Sequence, residues 1–354
     1  MSIENSWPKT LTTLLERRDL SREQASWAMR EIMSGEASEA QVGAFMMALR
    51  AKGETVAELA GLVDVMLEHT VILDTGSDAA DIVGTGGDMV GTVNISTMAS
   101  IVAAAAGVPV MKHGSRSASG KTGSSEMLEV LGVRLDLSPE VVADVFRECG
   151  ITFFFAPVFH PAMRHVAPIR KQLGVPTTFN FLGPLANPAQ PIATSLGVAN
   201  VEIAPKMAME LAARGRAGLV FRGGDGLDEL TTTTSSQIWQ VSGGVVSELS
   251  ISPEALGLKT AVLTDLIGGD PHENAEVAKK LFGGERDGRF EAIREIVALN
   301  AAAGLVAYEL AKDASLAETS LERRFVAALD KTFGAIDSGA AREKLSQWIA
   351  VTQR

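Results

Sequence analysis

The stretch AADIVGTGGDMVGTVNISTMASIVAAAAGVPVMK, from Ala79 to Lys112, decides the fold of most of the chain. It begins with a short apolar run ending in glycine, passes through a glycine-rich loop into a helical pattern, and closes on a second buried strand candidate. A strand, a loop, a helix and a strand form a βαβ unit, whose strands are parallel and whose crossover is right-handed. The sequence therefore predicts an α/β domain built around this unit.

Further strand and helix candidates follow the first unit. They are a helix after Ser138-Pro139-Glu140, the run ITFFFAPVF, a helix around Ala204 to Ala213, a strand in GLVFRGGDG, a hairpin turning at Gly243-Gly244 and a helical tail from about Asn274. We expect them to complete an α/β domain over residues 77–354, with a mostly parallel central sheet flanked by helices.

The N-terminal part of the chain has helical patterns only. Capping boxes mark three helix starts, at Ser21 with Gln24, Ser38 with Gln41, and Thr55 with Glu58. A methionine-rich face of these helices favours an adaptable core or a subunit interface over a ligand site. We expect residues 1–76 to form a small helical domain, completed by a helical insertion near residues 162–180.

Composition excludes several classes of function. The 354 residues carry a formal net charge of -11, which argues against nucleic acid as a partner and against a basic membrane-surface helix. The longest apolar run is too short to span a membrane, and MSIENSWPKTL does not have the pattern of a secretion signal. Cys149 is the only cysteine, so no intrachain disulfide can form. We therefore expect a cytoplasmic protein in which Cys149 is structural.

The loop GTGGDMVGTVNIST, from Gly84 to Thr97, has glycines directly ahead of a helix. Glycine allows the backbone to approach a ligand, and the N–H groups at a helix start attract anions. The third glycine of a dinucleotide fingerprint would fall at Met89, and no P-loop lysine follows, so neither motif is present. The loop predicts a phosphate or pyrophosphate cradle, with a tight surface turn as the alternative.

Three further clusters carry candidate site residues. KHGSRSASGKTGSSE, Lys112 to Glu126, brings cations and hydroxyls to the expected carboxyl end of a strand, where ligands bind in open α/β sheets. Its Arg116 and Lys121 could instead be solvated charges. FHPAMRHVAPIRKQLG offers Arg164 and Arg170, which lie on different faces of one helix, so that only one need point into a site. Arginine suits a carboxylate ligand because its fork is bidentate.

The third of these clusters is acidic. RGGDGLDELTTTT places Asp225, Asp228 and Glu229 on a loop after a strand. Alone it could be an acidic surface loop. Beside two phosphate-binding candidates it predicts a Mg²⁺ site, since Mg²⁺ is usually bound by one or two carboxylates together with substrate phosphates.

Five motifs in this order, GTGGD, NIST, KHGSRSAS, PVFHPAMRHVAPIRKQLGVPTTFNFLGPLANP and DGLDELT, closely resemble the anthranilate phosphoribosyltransferase family of tryptophan biosynthesis. The chain is also similar, more distantly, to pyrimidine nucleoside phosphorylases. The resemblance implies a homodimer formed through the helical domain. It also implies Mg²⁺-dependent transfer of phosphoribose from phosphoribosyl pyrophosphate to the amine of anthranilate, with two ions per subunit.

The resemblance also implies roles for particular residues. Those expected to bind phosphoribosyl pyrophosphate are Gly84, Gly87, Asp88, Thr92, Asn94, Ser96, Thr97, Lys112 and Ser124. Those expected near anthranilate are Gly84, His113, Ser115, Arg170 and Pro184, and those expected to hold metal are Ser96, Asp228 and Glu229. Lys112 and the metal would stabilise the leaving pyrophosphate. An aromatic amine is neutral at pH 7, so no strong general base is expected.

The chain departs from the family pattern at Ser115, where the family usually has asparagine. Serine is shorter and lacks the two N–H donors of the amide, so the affinity for the acceptor, or its identity, is expected to differ. Another aromatic amine acceptor is therefore one alternative, and the more distant resemblance to pyrimidine nucleoside phosphorylases gives a phosphorylase-like activity as the other. A non-catalytic relative that binds nucleic acid would need a basic surface, and the acidic chain with its Asp228-Glu229 pair argues against it.

Overall fold

The computed structural model describes residues 5–73, 75–116 and 122–354. Helices make up most of it. The α-helices in these residues are α1 (Trp7–Leu15), α2 (Arg22–Ser34), α3 (Glu39–Lys52), α4 (Val56–Glu68), α5 (Ile95–Ala105), α6 (Ser124–Leu131), α7 (Pro139–Cys149), α8 (Ala156–Phe159), α9 (Ala167–Leu173), α10 (Phe179–Leu185), α11 (Ala204–Ala213), α12 (Pro271–Phe282), α13 (Phe290–Lys312), α14 (Leu321–Asp337) and α15 (Ala340–Thr352). Short 3₁₀ helices are Pro161–His165, Glu254–Leu256, Leu263–Leu266 and Ala314–Glu318.

A single sheet lies at the centre of the larger part. Its strands are β1 (Ala80–Gly84), β2 (Val110–Gly114), β3 (Ile151–Phe155), β4 (Ala193–Gly197), β5 (Ala217–Gly223), β6 (Ser236–Ser242) and β7 (Val245–Ile251). Within the described residues the sheet has seven strands in the order β3-β2-β1-β4-β5-β6-β7. The pairs from β3 to β5 are parallel, whereas β5 with β6 and β6 with β7 are antiparallel. The predicted α/β fold with a mostly parallel sheet is confirmed.

Strand β4 did not stand out in the sequence. Its segment ATSLG contains Thr194 and Ser195, which dilute the apolar run, yet all five residues are buried. The strand lies between β1 and β5, so its burial comes from covered sheet faces and not from its own composition.

The N-terminal helices begin where the sequence indicates. At Ser21, Ser38 and Thr55 the hydroxyl accepts a hydrogen bond from the backbone N–H three residues on, and the side chain there accepts from the backbone N–H of the capping residue. Three capping boxes are therefore confirmed. The methionines of this region pack mainly in the core, since Met29 and Met46 are fully buried.

Two hydrophobic cores cover the two faces of the sheet. One contains α5, α13, α14 and α15. The other joins α2, α3 and α4 to α11 and to the opposite sheet face. This second core also takes in Val166, Ile169, Phe179 and Leu182, which belong to the segment between β3 and β4. That segment therefore packs with the N-terminal helices, far from it in sequence, while the boundary between residues 76 and 77 stays a prediction.

Strand order determines where a ligand would bind. The chain leaves β1 for β2 and β3 on one side, then returns to β4 on the other side of β1. In open α/β sheets, ligands bind outside the carboxyl ends of the strands at such a reversal. The loops after β1, β2, β3 and β5 all start at this edge.

In the described residues no helix combines the length and apolar character needed to cross a bilayer. Cys149 is buried.

Candidate active site

A cleft of about 860 Å³ opens at the carboxyl edge of the sheet. Its walls come from the loops after β1, β2 and β5 and from the segment between β3 and β4. The sequence-predicted residues that line it are Gly84, Gly87, Asp88, Thr92, Asn94, Ser96, Thr97, Lys112, His113, Ser115, Ser124, Arg170, Pro184, Asp228 and Glu229. The fold thus brings all of them to one cleft, although Lys121 of the basic loop lies outside the described residues.

The loop after β1 has a backbone that few residue types adopt. Gly86, Gly87 and Gly91 have φ values of 66°, 87° and 75°, in the left-handed region that favours glycine. Met89 also has a positive φ, 61°, and its side chain is 77% exposed. The Val90 N–H donates to Asp88 Oδ1 over 3.0 Å. The glycines therefore permit a loop whose backbone lines the cleft.

Asp228 packs directly against this loop. The Gly86 N–H donates to Asp228 Oδ2 over 2.7 Å. A Cβ atom at Gly84 would lie 2.3 Å from the same oxygen, and one at Gly197 would lie 1.6 Å from the Asp228 carbonyl oxygen. Both glycines are therefore needed for the close approach. Burial raises the pKa of Asp228 to about 7, and the neighbouring Asp88 charge acts in the same direction.

The Glu229 side chain contacts the first turn of α5. The Ser96 N–H donates to Glu229 Oε1 over 3.2 Å. Burial, together with the charge of Asp228, holds the pKa of Glu229 well above its usual range, and Lys112 opposes this. Within the described residues, no group of three or more His, Cys, Asp or Glu side chains is arranged to hold a metal. Two buried, adjacent carboxylates nevertheless fit Mg²⁺, whose other ligands can be water and substrate phosphates.

Lys112 lies at the floor of the cleft and is 2% exposed. Its Nζ donates to the Ile82 carbonyl oxygen. Burial lowers the pKa of the Lys112 ammonium, whereas the charges of Asp81, Glu229 and Asp228 oppose that shift. Asp81 is itself buried and accepts from Asn187 Nδ2 over 2.8 Å, and burial raises its pKa to about 6. A buried cation therefore lies among buried acids.

Two histidines face each other on another wall. The His113 and His160 ring centroids are 5.0 Å apart. His113 Nδ1 donates to the Gly183 carbonyl oxygen over 2.9 Å, since a carbonyl can only accept. Thr70 Oγ1 donates to the Met66 carbonyl and therefore accepts from His160 Nδ1 over 2.9 Å. The His113 Nε2 is a buried acceptor without a partner in the described structure, whereas the His160 ring also meets the backbone of Ala186. Burial lowers the pKa to about 4 in His113 and about 3 in His160.

Arg170 has no carboxylate partner among the described residues. Its Nη2 donates to Asn180 Oδ1 over 3.2 Å, and burial lowers its pKa without an opposing acidic charge. Arg164 also lines the cleft, although the sequence led us to expect that only one arginine need face it. Arg164 lies in the 3₁₀ helix Pro161–His165 and Arg170 in α9, so the spacing of one continuous helix does not apply.

A buried glutamate supports the Arg170 wall from the helical region. Thr178 Oγ1 donates to Glu54 Oε1 over 2.6 Å, and Glu54 is 1% exposed. Arg50 Nη1 lies 3.2 Å from Glu54 Oε2. The Thr177 N–H and Arg170 both donate to Asn180 Oδ1. The ion pair between Arg50 and Glu54 is thus connected to the residue that holds Arg170.

The sequence did not reveal one wall of the cleft. Ile267, Gly268, Gly269 and Asn274 line it, although they lie far from every motif. The only available signal was the Gly-Gly-Asp-Pro turn ahead of a helix, which is typical of many helix starts. His160 was also not assigned a role, because its place beside His113 depends on the packing of α8.

Comparisons with known proteins agree with this geometry. Residues 8–70 match the model described as "Glycosyl transferase family, helical bundle domain", and residues 76–342 match "Glycosyl transferase family, a/b domain". An anthranilate phosphoribosyltransferase from Leifsonia xyli subsp. xyli is 53% identical over 353 residues, covering 100% of both chains.

Two solved structures are also similar. The anthranilate phosphoribosyltransferase of Thermus thermophilus has a TM-score of 0.86 and 39% identity, covering 98% of this chain and 99% of its own. The Saccharomyces cerevisiae enzyme, in complex with PRPP and Mg, has a TM-score of 0.86 and 28% identity, with 98% of each chain covered. The chain therefore belongs to the anthranilate phosphoribosyltransferase family, whose members are pentosyltransferases.

Proposed function

We propose that the protein transfers phosphoribose from 5-phosphoribosyl 1-pyrophosphate to the amine of anthranilate, releasing pyrophosphate, with Mg²⁺ required. One observation carries this proposal. A glycine-rich loop, a buried carboxylate pair and a buried lysine meet in the same cleft as an arginine without a carboxylate partner in the described structure. An anionic donor substrate with its metal would complement the loop, the carboxylate pair and the lysine. An acceptor substrate that carries a carboxylate would complement the arginine.

The donor substrate would lie along the loop after β1. It would contact the backbone and side chains of Gly84, Gly87, Asp88, Thr92, Asn94, Ser96, Thr97, Lys112 and Ser124. Thr97 supports this assignment because its Oγ1 is buried, lines the cleft and has no partner in the described structure. A buried hydroxyl without a partner is costly unless a ligand completes it.

Breaking the anomeric C–O bond places negative charge on the departing pyrophosphate. Lys112 and the N-terminus of α5 would stabilise that charge, since both are fixed in place before the reaction. The Lys112 ammonium has little water to displace because it is already buried. The chain therefore contributes mainly to stabilising the leaving group.

Ser96, Asp228 and Glu229 would hold the metal, as two ions per subunit. Bound Mg²⁺ would supply further positive charge beside the pyrophosphate oxygens. Asp228 and Glu229 suit this role because each already accepts a backbone N–H, which orients one oxygen and leaves the other available. Their buried charges are offset in part by Lys112, and a cation would complete that balance.

The acceptor would lie between Arg170 and the histidine wall. Arg170 would bind the carboxylate of anthranilate, with Gly84, His113, Ser115 and Pro184 around the ring and amine. The neutral His113 offers an acceptor Nε2 toward an amine N–H. No strong base is needed because the aromatic amine already has a free lone pair at pH 7. We further propose that two chains associate through the helical domain.

Ser115 favours a second candidate, transfer to a different aromatic amine that carries a carboxylate. It lies in the cleft at the position where the family usually has asparagine, and its shorter side chain leaves more room. A phosphorylase-like activity is less favoured, since phosphorolysis does not need a carboxylate pair to hold metal beside pyrophosphate.

The test is a fluorescence assay. Purified protein with anthranilate, phosphoribosyl pyrophosphate and Mg²⁺ is expected to remove anthranilate fluorescence, with release of one pyrophosphate per anthranilate consumed. Chelating Mg²⁺ with EDTA should stop the loss of anthranilate fluorescence. Ring-substituted anthranilates measured in parallel would identify a different preferred acceptor. Absence of turnover with every aromatic amine would reject the proposal.

A further inference from the structure

The segment from Leu266 to Asn274 is fastened to the glycine-rich loop. The Val93 N–H donates to the Leu266 carbonyl over 2.9 Å, and the Gly268 N–H donates to the Gly91 carbonyl over 2.8 Å. A Cβ atom at Gly268 would lie 2.7 Å from the Thr92 carbonyl oxygen, so the two backbones are in close contact. The first turn of α12 is therefore held at a fixed distance from the donor-binding loop.

Asn274 occupies this first turn and is 1% exposed. Its Oδ1 accepts from the Gly269 N–H over 2.8 Å. Its Nδ2 donates to Asn94 Oδ1, also over 2.8 Å. Asn274 is thus a buried amide that connects a backbone N–H with a side chain lining the cleft.

The direction of this chain of hydrogen bonds is set by the backbone. A backbone N–H can only donate, so the Asn274 atom facing Gly269 must be the oxygen. The other Asn274 atom is then the NH₂ group, which requires an oxygen from Asn94. That leaves the Asn94 NH₂ as the group available to the cleft. Its acceptor within the described chain is the Thr122 carbonyl, at 3.4 Å, which is long for a hydrogen bond.

We propose that Asn274 is a positioning residue for the donor substrate, which orients the Asn94 amide with its NH₂ group toward the pyrophosphate. The inference rests on the proposed function, because it needs an anion beside Asn94. If the Asn94 amide were free to turn, its oxygen could face the same anion, and the two would repel each other. Thr122 Oγ1 donates to the Gly269 carbonyl over 2.8 Å and so also holds this turn against the end of the basic loop.

The test replaces Asn274 with an acid of nearly the same shape. In Asn274→Asp a carboxylate oxygen still accepts from Gly269, but no donor remains for Asn94. The Asn94 amide must then turn its NH₂ group toward residue 274 and its oxygen toward the pyrophosphate. We expect the Kd for phosphoribosyl pyrophosphate with Mg²⁺, measured by calorimetry, to rise about tenfold or more. The KM for anthranilate should stay within about twofold, because Asn94 is assigned to the donor and not to the acceptor.

A second variant and a second background separate geometry from charge. Asn274→Ala removes the donor without adding charge, and a smaller rise of about threefold is expected. In an Asn94→Ala background, Asn274→Asp should have little further effect, since the residue acts through Asn94. An undiminished effect in that background would show that the added charge acts directly, and would overturn the inference.

Three outcomes keep the inference apart from the proposed function. If the wild-type protein does not bind phosphoribosyl pyrophosphate, the proposed function fails and the inference fails with it. If the wild type binds and both Asn274 variants bind equally well, the inference alone is wrong. If both Michaelis constants and the melting temperature change together, Asn274 has a general structural role and the inference is also wrong.

Discussion

The two sides of the cleft are built differently. On the proposed donor side, backbone N–H groups of the loop Gly84–Thr97 donate hydrogen bonds to Asp228 and Glu229. On the proposed acceptor side, His113 comes from the end of β2, whereas His160 and Arg170 come from the segment between β3 and β4, which packs on the helical region. The His113 Nε2 lacks a partner, and Arg170 lacks a carboxylate, within the described structure.

The difference indicates which kind of ligand would complement each side. The donor side gathers acids, and its main requirement is added positive charge. The acceptor side gathers neutral bases and a guanidinium, and its main requirement is a ligand that supplies an anion and N–H groups. A ligand with a carboxylate beside an amine supplies both the anion and the N–H groups. A polyphosphate with bound metal supplies the positive charge that the donor side requires. Changes on either side should therefore affect different kinetic constants.

The largest effect is expected from Asp228→Asn on the donor side. The amide keeps the size of the carboxyl but removes its charge, so metal would be held poorly and turnover should fall about 100-fold or more. Asp225→Asn in the same loop is the control, because Asp225 accepts from Thr231 over 2.6 Å and does not line the cleft. Steady-state kinetics with varied Mg²⁺ measures both. A similar loss in the control variant would mean that loop folding alone is responsible.

A smaller effect is expected from Arg170→Lys on the acceptor side. Lysine keeps the charge but lacks the bidentate fork, so the KM for anthranilate should rise about 20-fold. The KM for phosphoribosyl pyrophosphate should change less than about twofold. Lys171→Arg, on the exposed side of α9, serves as the control. An equal change in both Michaelis constants would contradict the division of the cleft into two sides.

The two sides should also respond to pH with opposite sign. His160 has a folded pKa lowered to about 3, so its contribution to stability is complete above pH 6.5 and is lost as the pH falls. Asp228 has a folded pKa raised to about 7, so its contribution is complete below about pH 4 and is lost as the pH rises toward and through 7. Near pH 5.5 each group changes the free energy of unfolding by about 1 kcal/mol per pH unit, with a positive slope for His160 and a negative slope for Asp228.

Urea unfolding between pH 4.5 and 7 measures these slopes. His160→Asn should make the free energy of unfolding fall less steeply toward acid, and Asp228→Asn should make it fall more steeply. Buffers of constant ionic strength are required, since charge screening also changes with salt. Changes of the same sign in the two variants would show that these groups do not differ as described.

A smaller change is expected from Glu54→Gln, which supports the acceptor side from the helical region. Glutamine accepts a weaker hydrogen bond from Thr178 and leaves Arg50 without its ion pair. The KM for anthranilate should rise about fourfold, with turnover less affected. Glu36→Gln, at an exposed position, is the control. If only the melting temperature falls, the contact stabilises the fold without orienting Arg170.

The smallest effect is expected from Ser115→Asn, which restores the residue usual in the family. The amide adds donors toward the acceptor, and the KM for anthranilate should fall about threefold. Binding of phosphoribosyl pyrophosphate should be nearly unchanged. A KM for anthranilate equal to that of the wild type would show that this position does not contact the acceptor.

Local features of the fold could be predicted well from the sequence. Capping at Ser21, Ser38 and Thr55 depends on residues three apart, and the hairpin at Gly243-Gly244 depends on adjacent ones. The glycine-rich loop could also be located, because glycine has few substitutes where φ is positive. Such signals lie within a few residues of the structure that they determine.

Features that depend on distant packing could not be predicted. Strand β4 is buried by its neighbours despite Thr194 and Ser195. The contact of Asn274 with Asn94 joins residues 180 apart, and that of Glu54 with Thr178 joins residues 124 apart. No local pattern encodes either pairing. The orientation of Arg164 was missed because the helix is interrupted between it and Arg170.

The shared core of the helical region has a consequence for biosynthesis. Helices α1 to α4 end at Glu68, but Phe179 and Leu182, which complete their apolar packing, are translated more than a hundred residues later. At ordinary elongation rates of about 5–20 residues per second, that surface would wait roughly ten seconds on the ribosome for its cover. During that interval the nascent chain would expose the apolar surface of these helices. Chaperones that bind unfolded chains would be expected to bind that surface.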